Sequence, residues 1–74
     1  MPFEIFKAFP PDDEEPVAQL HHSRDGRVDI PAEIHLANGE LRITLFSRDA
    51  GPAWDYSVAE FSDAITRAIR AMES

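Results

Sequence analysis

The chain has 74 residues, no cysteine and a net charge of −7, from fourteen carboxylates and seven basic residues. The missing cysteine excludes disulfides and cysteine-ligated zinc, and the length predicts one domain spanning residues 1–74. The acidic balance disfavours nucleic-acid binding, which needs a basic surface. No window approaches the roughly 20 apolar residues that span a bilayer, so we expect no membrane contact and a cytoplasmic location.

The first segments of the chain are a strand and an acidic loop. Phe3, Ile5 and Phe9 fall at alternate spacing with Lys7 between them, which predicts a strand over residues 2–9. In residues 10–16, three prolines bracket four carboxylates, and such a composition predicts an exposed loop. A solvated loop is one reading. The other is that its carboxylates engage a basic partner, through Asp12, Asp13, Glu14 and Glu15.

A central β-hairpin is predicted over residues 27–47. Apolar residues alternate from Val28 to Leu36, and the alternation resumes after Asn38-Gly39, the preferred pair of a type I′ turn. A two-residue loop there places apolar side chains opposite each other on one face, because the strand period is two. The pairs are Leu36 with Leu41, Ile34 with Ile43, and Ala32 with Leu45.

The preceding hairpin turn has two readings. A two-residue loop at Asp25-Gly26 sets His21 opposite Ile30. A three-residue loop, residues 24–26, sets Leu20 opposite Ile30 and Ala18 opposite Ala32 instead. We favour the three-residue loop because it pairs apolar residues with each other.

The last segment is predicted to be a helix over residues 57–72. Ser57 and Glu60 form a capping box, and Tyr56 and Phe61 occupy the positions of a hydrophobic staple. Apolar residues then recur at helical spacing in one stripe. Trp54 and Tyr56 alternate with polar neighbours, which predicts a short strand before the helix.

Together these elements predict an α+β fold, a small antiparallel sheet of three to four strands in the order β-β-β-β-α, packed on one C-terminal amphipathic helix. The helix stripe is expected to cover the apolar face of the central hairpin, formed by Ile30, Ile34, Ile43 and Leu45.

No catalytic or ligand-binding pattern emerges. The three histidines are His21, His22 and His35; the first two point to opposite faces of a strand, so a metal site is not predicted. Ser57 is explained as a helix cap, and no serine or threonine is paired with a base and its orienting group. We therefore predict no enzymatic activity, no cofactor and no metal.

A second candidate binding surface is the outward face of the central hairpin. Its register predicts that Pro31, His35, Arg42 and Phe46 point away from the helix. An aromatic ring and an arginine within a polar rim are typical of interface hot spots. The alternative is that Phe6 folds over Phe46 and covers it.

In size, charge and single-domain build the chain is similar to small acidic toxin-immunity proteins, antitoxins and phage-encoded inhibitors, although no family motif is present. The analogy predicts a non-catalytic protein-binding module that occludes a larger basic partner. One alternative is a self-associating homodimeric module. A second is a small nucleic-acid-binding regulator.

Overall fold

A computed structural model describes residues 3–9, 15–48 and 53–73. It has one antiparallel sheet in the order β1-β2-β3-β4 and one C-terminal helix, which confirms the predicted β-β-β-β-α arrangement. Of the predicted acidic loop, residues 10–14 lie outside the described residues. The elements are β1 (Phe3–Ala8), β2 (Val17–Arg24), β3 (Arg27–Ala37), β4 (Glu40–Leu45) and α1 (Val58–Glu73).

The β3–β4 hairpin has the predicted turn and register. Asn38 and Gly39 both have positive φ, 54° and 79°, as a type I′ turn requires. Asparagine and glycine tolerate this left-handed conformation better than other residues. Leu36 pairs with Leu41, Ile34 with Ile43, and Ala32 with Leu45.

The β2–β3 hairpin corrects the predicted loop. Asp25 and Gly26 form a two-residue turn with φ of 49° and 77°, so the three-residue loop is wrong. The register shifts further along, where Ile30 and Pro31 together face the single residue His21. This β-bulge adds one residue to β3, and the added residue brings apolar side chains of β2 and β3 opposite each other again. The resulting apolar pairs are Leu20 with Ala32 and Ala18 with Ile34.

The core lies between α1 and the β1 side of the sheet. Small residues, Ala64 and Ala68, form the buried stripe of the helix and let it approach the sheet closely. Phe3 fills the space at one end of the core and is only 1% exposed. The remaining buried members of this cluster come from β2 and β3, namely Ala18, Leu20, Ala32 and Ile34.

The helix starts as the sequence predicts. Ser57 Oγ accepts a hydrogen bond of 3.3 Å from the Glu60 N–H, the bond expected of an N-cap. The rings of Tyr56 and Phe61 stack with centroids 5.9 Å apart and an interplanar angle of 5°, which confirms the staple.

Residues 53–57 form no strand, so the strand predicted there is wrong. The alternation of Trp54 and Tyr56 reflects side-chain docking instead. Tyr56 stacks on the first turn of α1, and Trp54 Nε1–H donates a 2.8 Å hydrogen bond to the carbonyl oxygen of Phe46. Trp54 is half-buried and lies outside the core cluster.

The helix covers β1, β2 and β3 but not β4, which corrects its predicted position over the central hairpin. A helix with its side chains is about 10 Å wide, whereas four strands at a spacing of about 4.8 Å extend across about 19 Å. One helix therefore leaves part of the sheet bare. Of the four residues expected beneath it, only Ile34 is buried; Ile30, Ile43 and Leu45 are exposed.

Candidate functional site

The uncovered part of the sheet is a continuous apolar surface. Leu41, Ile43 and Leu45 point to the helix side of β4, where no helix covers them. Leu45 is 66% exposed, and Val58 at the start of α1 is 81% exposed. We call this surface the β4–α1 face, defined by Leu41, Ile43 and Leu45 with the neighbouring helix residues Val58, Ile65 and Ile69.

Two open cavities line the boundary between β4 and α1. The larger, of about 330 Å³, lies at the end of β4 where Leu45, Trp54 and Phe61 meet. The smaller, of about 200 Å³, lies between Ile43 and the helix residues Ile65 and Ile69. The groove thus has apolar walls on both the strand and the helix side. Exposed contiguous apolar surface of this kind marks interaction sites on small proteins.

The charge of this surface differs from that of the whole chain. Among the described residues that line the two cavities there is no carboxylate, and Arg42 is the one charged side chain. The whole chain carries fourteen carboxylates in 74 residues. The Ile43 and Leu45 part of the β4–α1 face is therefore free of carboxylates, as the centre of a protein interface usually is, whereas Glu15 and Glu73 border its Leu41 end.

β4 is an edge strand of the sheet, with no further strand beside it among the described residues. The N–H of Phe46 donates a 2.9 Å hydrogen bond to the carbonyl oxygen of Pro31, which fixes the phase of the ladder. In an antiparallel pair, alternate residues direct their N–H and C=O groups toward the partner strand. Arg42 and Thr44 therefore bond to β3, and Leu41, Ile43 and Leu45 direct their backbone groups outward. The same three residues supply the apolar side chains and the open backbone groups.

The opposite edge of the sheet is protected. Arg67 Nη2 donates a 2.9 Å hydrogen bond to the carbonyl oxygen of Phe3 in β1. Lys7 pairs with Ala18, so its side chain lies on the helix side of β1. A charged residue pointing inward on an edge strand disfavours the addition of another strand. β4 has no such residue among Leu41, Ile43 and Leu45.

The predicted outward patch is only partly assembled. His35 lies opposite Arg42, and Thr44 Oγ1 is 3.4 Å from His35 Nδ1. Arg42 Nη1 lies 2.8 Å from Glu40 Oε1 in an exposed ion pair. Pro31 is buried and lines the larger cavity on the helix side, so its predicted outward position is wrong. The reason is the bulge, which shifts the side-chain alternation at this point.

Phe6 does not cover Phe46. Phe6 is in β1 and Phe46 follows β4, and these strands are the opposite edges of the sheet. Phe6 instead packs on His21, with ring centroids 4.2 Å apart. Phe46 is 37% exposed. Its carbonyl oxygen accepts the hydrogen bond from Trp54, which is one of the residues lining the larger cavity.

Of the predicted acidic site, only Glu15 is described. It is exposed and borders a cavity of about 260 Å³ together with His35 and Thr44, so two of the predicted site residues lie near each other. Asp12, Asp13 and Glu14 lie outside the described residues.

A polar cavity of about 210 Å³ lies near the start of α1. Arg24, Asp29 and Arg48 line it, and the Arg48 guanidinium sits 5.0 Å from the centre of the Trp54 ring. The hydroxyl of Tyr56 is buried there, and none of the described residues forms a hydrogen bond with it. Burial raises the pKa of Tyr56, the negative charge of Asp29 adds to that shift, and the two arginines oppose it.

The histidines do not assemble into a metal site. His22 is buried against Phe3 at 4.7 Å between ring centroids, and its Nδ1 has no partner. His21 is on the other face, where desolvation lowers its pKa and Glu4 opposes the shift. Within the described residues, no three side chains of the metal-binding types come together. None of the described helices is long and apolar enough to cross a membrane.

Sequence reasoning missed the β4–α1 face. It placed Ile43 and Leu45 beneath the helix because alternation shows that a strand has an apolar face, without showing what covers it. The available signal was the width of the elements, since one helix cannot cover four strands.

Comparison of the chain with models of known protein families, with curated proteins and with solved structures finds no significant match.

Proposed function

We propose that this protein is a non-catalytic protein-binding module that takes up an extended segment of another polypeptide at β4. One observation carries the proposal: Leu41, Ile43 and Leu45 combine exposed apolar side chains with outward-directed backbone groups. An added strand would hydrogen-bond to the edge and lay its own alternate side chains beside the β4–α1 face.

The partner segment has a defined chemistry. It is extended, with apolar side chains on the face that continues the helix side of the sheet. It needs no basic residues beside Ile43 and Leu45, because the described lining of the groove there contains no carboxylate. Each net backbone hydrogen bond contributes about 0.5–1.5 kcal/mol, and the apolar contacts add to it.

A second candidate is occlusion of a larger partner with a basic surface, the function that the net charge of −7 favours. In that case the carboxylates of residues 12–15 would speed association and orient the two proteins. The two candidates are compatible, since charge would steer the encounter and strand addition would hold the complex.

Site-specific photo-crosslinking tests the proposal. The photoreactive residue p-benzoylphenylalanine replaces Leu45 in one variant and His35 in a control variant. Both positions belong to the same hairpin, but Leu45 is on the helix side of the sheet and His35 is on the other side. In cells expressing each variant, we expect position 45 to crosslink to a polypeptide and position 35 to give much less product. Equal crosslinking from both positions, or none from position 45, would contradict strand addition at β4.

A further inference from the structure

We infer that the added strand is β4 of a second copy of this chain, so that two copies join their sheets across a two-fold axis at Ile43. The inference rests on the proposed strand addition and names its partner. It follows from the open edge, from the sequence of β4 and from the charge of the surface.

β4 can pair with β4 of a second copy in one symmetric antiparallel register. Paired residues in an antiparallel ladder lie on the same face of the sheet. With the two-fold axis at Ile43, this residue pairs with its own counterpart, and Leu41 of each copy pairs with Leu45 of the other. These are the residues whose backbone groups point outward. The register therefore uses every open backbone group of β4 on both chains, as three hydrogen-bonded pairs with two bonds each.

The second argument comes from the other face of the strand. In this register Arg42 of one copy lies opposite Thr44 of the other, a pairing without like charges. A shift of two residues along the chain would place Arg42 directly opposite Arg42, which is destabilising. That shift would also leave some open backbone groups unpaired. β4 thus favours this register over the one centred on Arg42.

The third argument is the local charge. Two chains of net charge −7 repel each other in general. β4 itself is neutral, because Glu40 and Arg42 compensate each other at 2.8 Å. The groove beside Ile43 and Leu45 contains no carboxylate among its described lining residues, and Glu15 and Glu73 lie at its Leu41 end. Salt screens the more distant charges over about 8–10 Å, so this edge is the place where two copies can approach.

The paired copies would form one eight-stranded antiparallel sheet with both helices on the same side. Leu41, Ile43 and Leu45 from both copies would form a single apolar strip at the centre of that sheet. Each of these side chains would gain an apolar neighbour from the other copy. A short open edge strand is also a risk for further aggregation, and symmetric pairing removes that edge.

The first test is the mass of the purified full chain in solution, measured by light scattering and analytical ultracentrifugation. We expect twice the chain mass at high protein concentration, dissociating on dilution. Ile43→Glu, which sets two carboxylates against each other at the axis, should give the chain mass while circular dichroism still shows the fold. Ala59→Glu adds the same charge at an exposed helix position away from β4 and should leave the dimer intact.

The second test measures the register and does not depend on weakening the dimer. The natural chain has no cysteine, so a single introduced cysteine can link only to its counterpart in another copy. In the proposed register the two Ile43 Cα atoms are about 5.5 Å apart, within the range that a disulfide spans. The two Leu41 Cα atoms are about 14 Å apart, given about 3.4 Å per residue. We expect Ile43→Cys to form a covalent dimer on mild oxidation and Leu41→Cys to form almost none.

The outcomes separate this inference from the proposed function. A monomeric natural chain whose position 45 crosslinks to a different polypeptide would overturn self-pairing and leave strand addition standing. A monomeric chain with no crosslink at position 45 would overturn both. A dimer that persists in Ile43→Glu, or equal oxidation of the two cysteine variants, would show that the copies meet elsewhere.

Discussion

Arg67 in α1 donates a 2.9 Å hydrogen bond to the backbone carbonyl oxygen of Phe3, 64 residues earlier in the chain. The same side chain forms an ion pair with Asp63, with Nε 3.1 Å from Oδ2 but without the alignment of a hydrogen bond. This contact ties the last element of the fold to the first. It also occupies a carbonyl group of β1 and so helps to protect that edge.

Replacement of Arg67 tests this link. We expect Arg67→Met to lower the free energy of unfolding by about 1 kcal/mol, since the side chain is partly exposed and the ion pair itself is weak. Hydrogen exchange should speed up most in β1. Arg70→Met, at an exposed position of the same helix, is the control and should change stability little. If urea unfolding gave equal losses of unfolding free energy for the two variants, the hydrogen bond to Phe3 would contribute nothing specific to stability.

The close approach of α1 to the sheet gives a second prediction. Ala64 is fully buried, whereas Ala59 in the same helix is exposed. Ala64→Leu should therefore cost about 1–3 kcal/mol through overpacking. Ala59→Leu should leave stability within about 0.5 kcal/mol of the natural chain. Thermal or urea unfolding of both variants checks this, and a stable Ala64→Leu variant would mean that the helix lies farther from the sheet than described.

The turn between β3 and β4 gives a third prediction. Asn38 has a φ of 54°, which proline cannot adopt because its ring fixes φ near −65°. Asn38→Pro should lower stability by more than about 1 kcal/mol. Asn38→Gly, which accepts positive φ, should change the stability by only about a few tenths of 1 kcal/mol. If Asn38→Pro unfolded cooperatively at the melting temperature of the natural chain, the turn would be refuted.

Tyr56, the single tyrosine of the chain, predicts a dependence on alkaline pH. Its pKa is raised from the usual 10.0, so the folded state holds this proton more tightly than the unfolded state does. That stabilisation is complete below pH 10.0 and is lost as the pH rises through the folded pKa. Tyr56→Phe should flatten the alkaline loss of stability. It should also be at least as stable at neutral pH, because it removes a buried hydroxyl that has no partner.

Urea unfolding at several pH values, with the ultraviolet absorbance of tyrosinate recorded in parallel, measures this effect. Ionisation of Tyr56 in the folded protein at an ordinary pKa, or equal pH slopes in both variants, would contradict the buried position of the hydroxyl.

The elements that local signals specify could be predicted from the sequence. Asn38-Gly39 and the alternation on both sides of it fix the β3–β4 register, and Ser57 marks the start of α1. The β2–β3 register could not be derived in the same way, because apolar pairing favoured the three-residue loop, whereas the chain reaches apolar pairing through a two-residue turn and a bulge. Pro31 was the unused signal, since proline inside a sheet is confined to edges and bulges.

The candidate surface was harder to predict than the fold. Ile43 and Leu45 look like core residues in the sequence, and only the position of the helix shows that they are exposed. Helix position depends on which strands offer small, complementary side chains. Here Ala18 and Ala32 meet Ala64 and Ala68 on the β1 side of the sheet. That choice is a property of tertiary packing and leaves no periodic signal in the sequence.

The bulge at Ile30 and Pro31 shifts the alternation of side chains along β3 by one residue. Before it, Asp29 is paired with His22 on the helix side and Val28 faces outward; after it, Ala32 and Ile34 face the helix. If the register set by the turn continued without the bulge, Leu20 would pair with Pro31 and Ala18 with Glu33. An acidic side chain would then face the helix in the place of Ile34. The one extra residue at the bulge therefore keeps the buried face of β3 apolar.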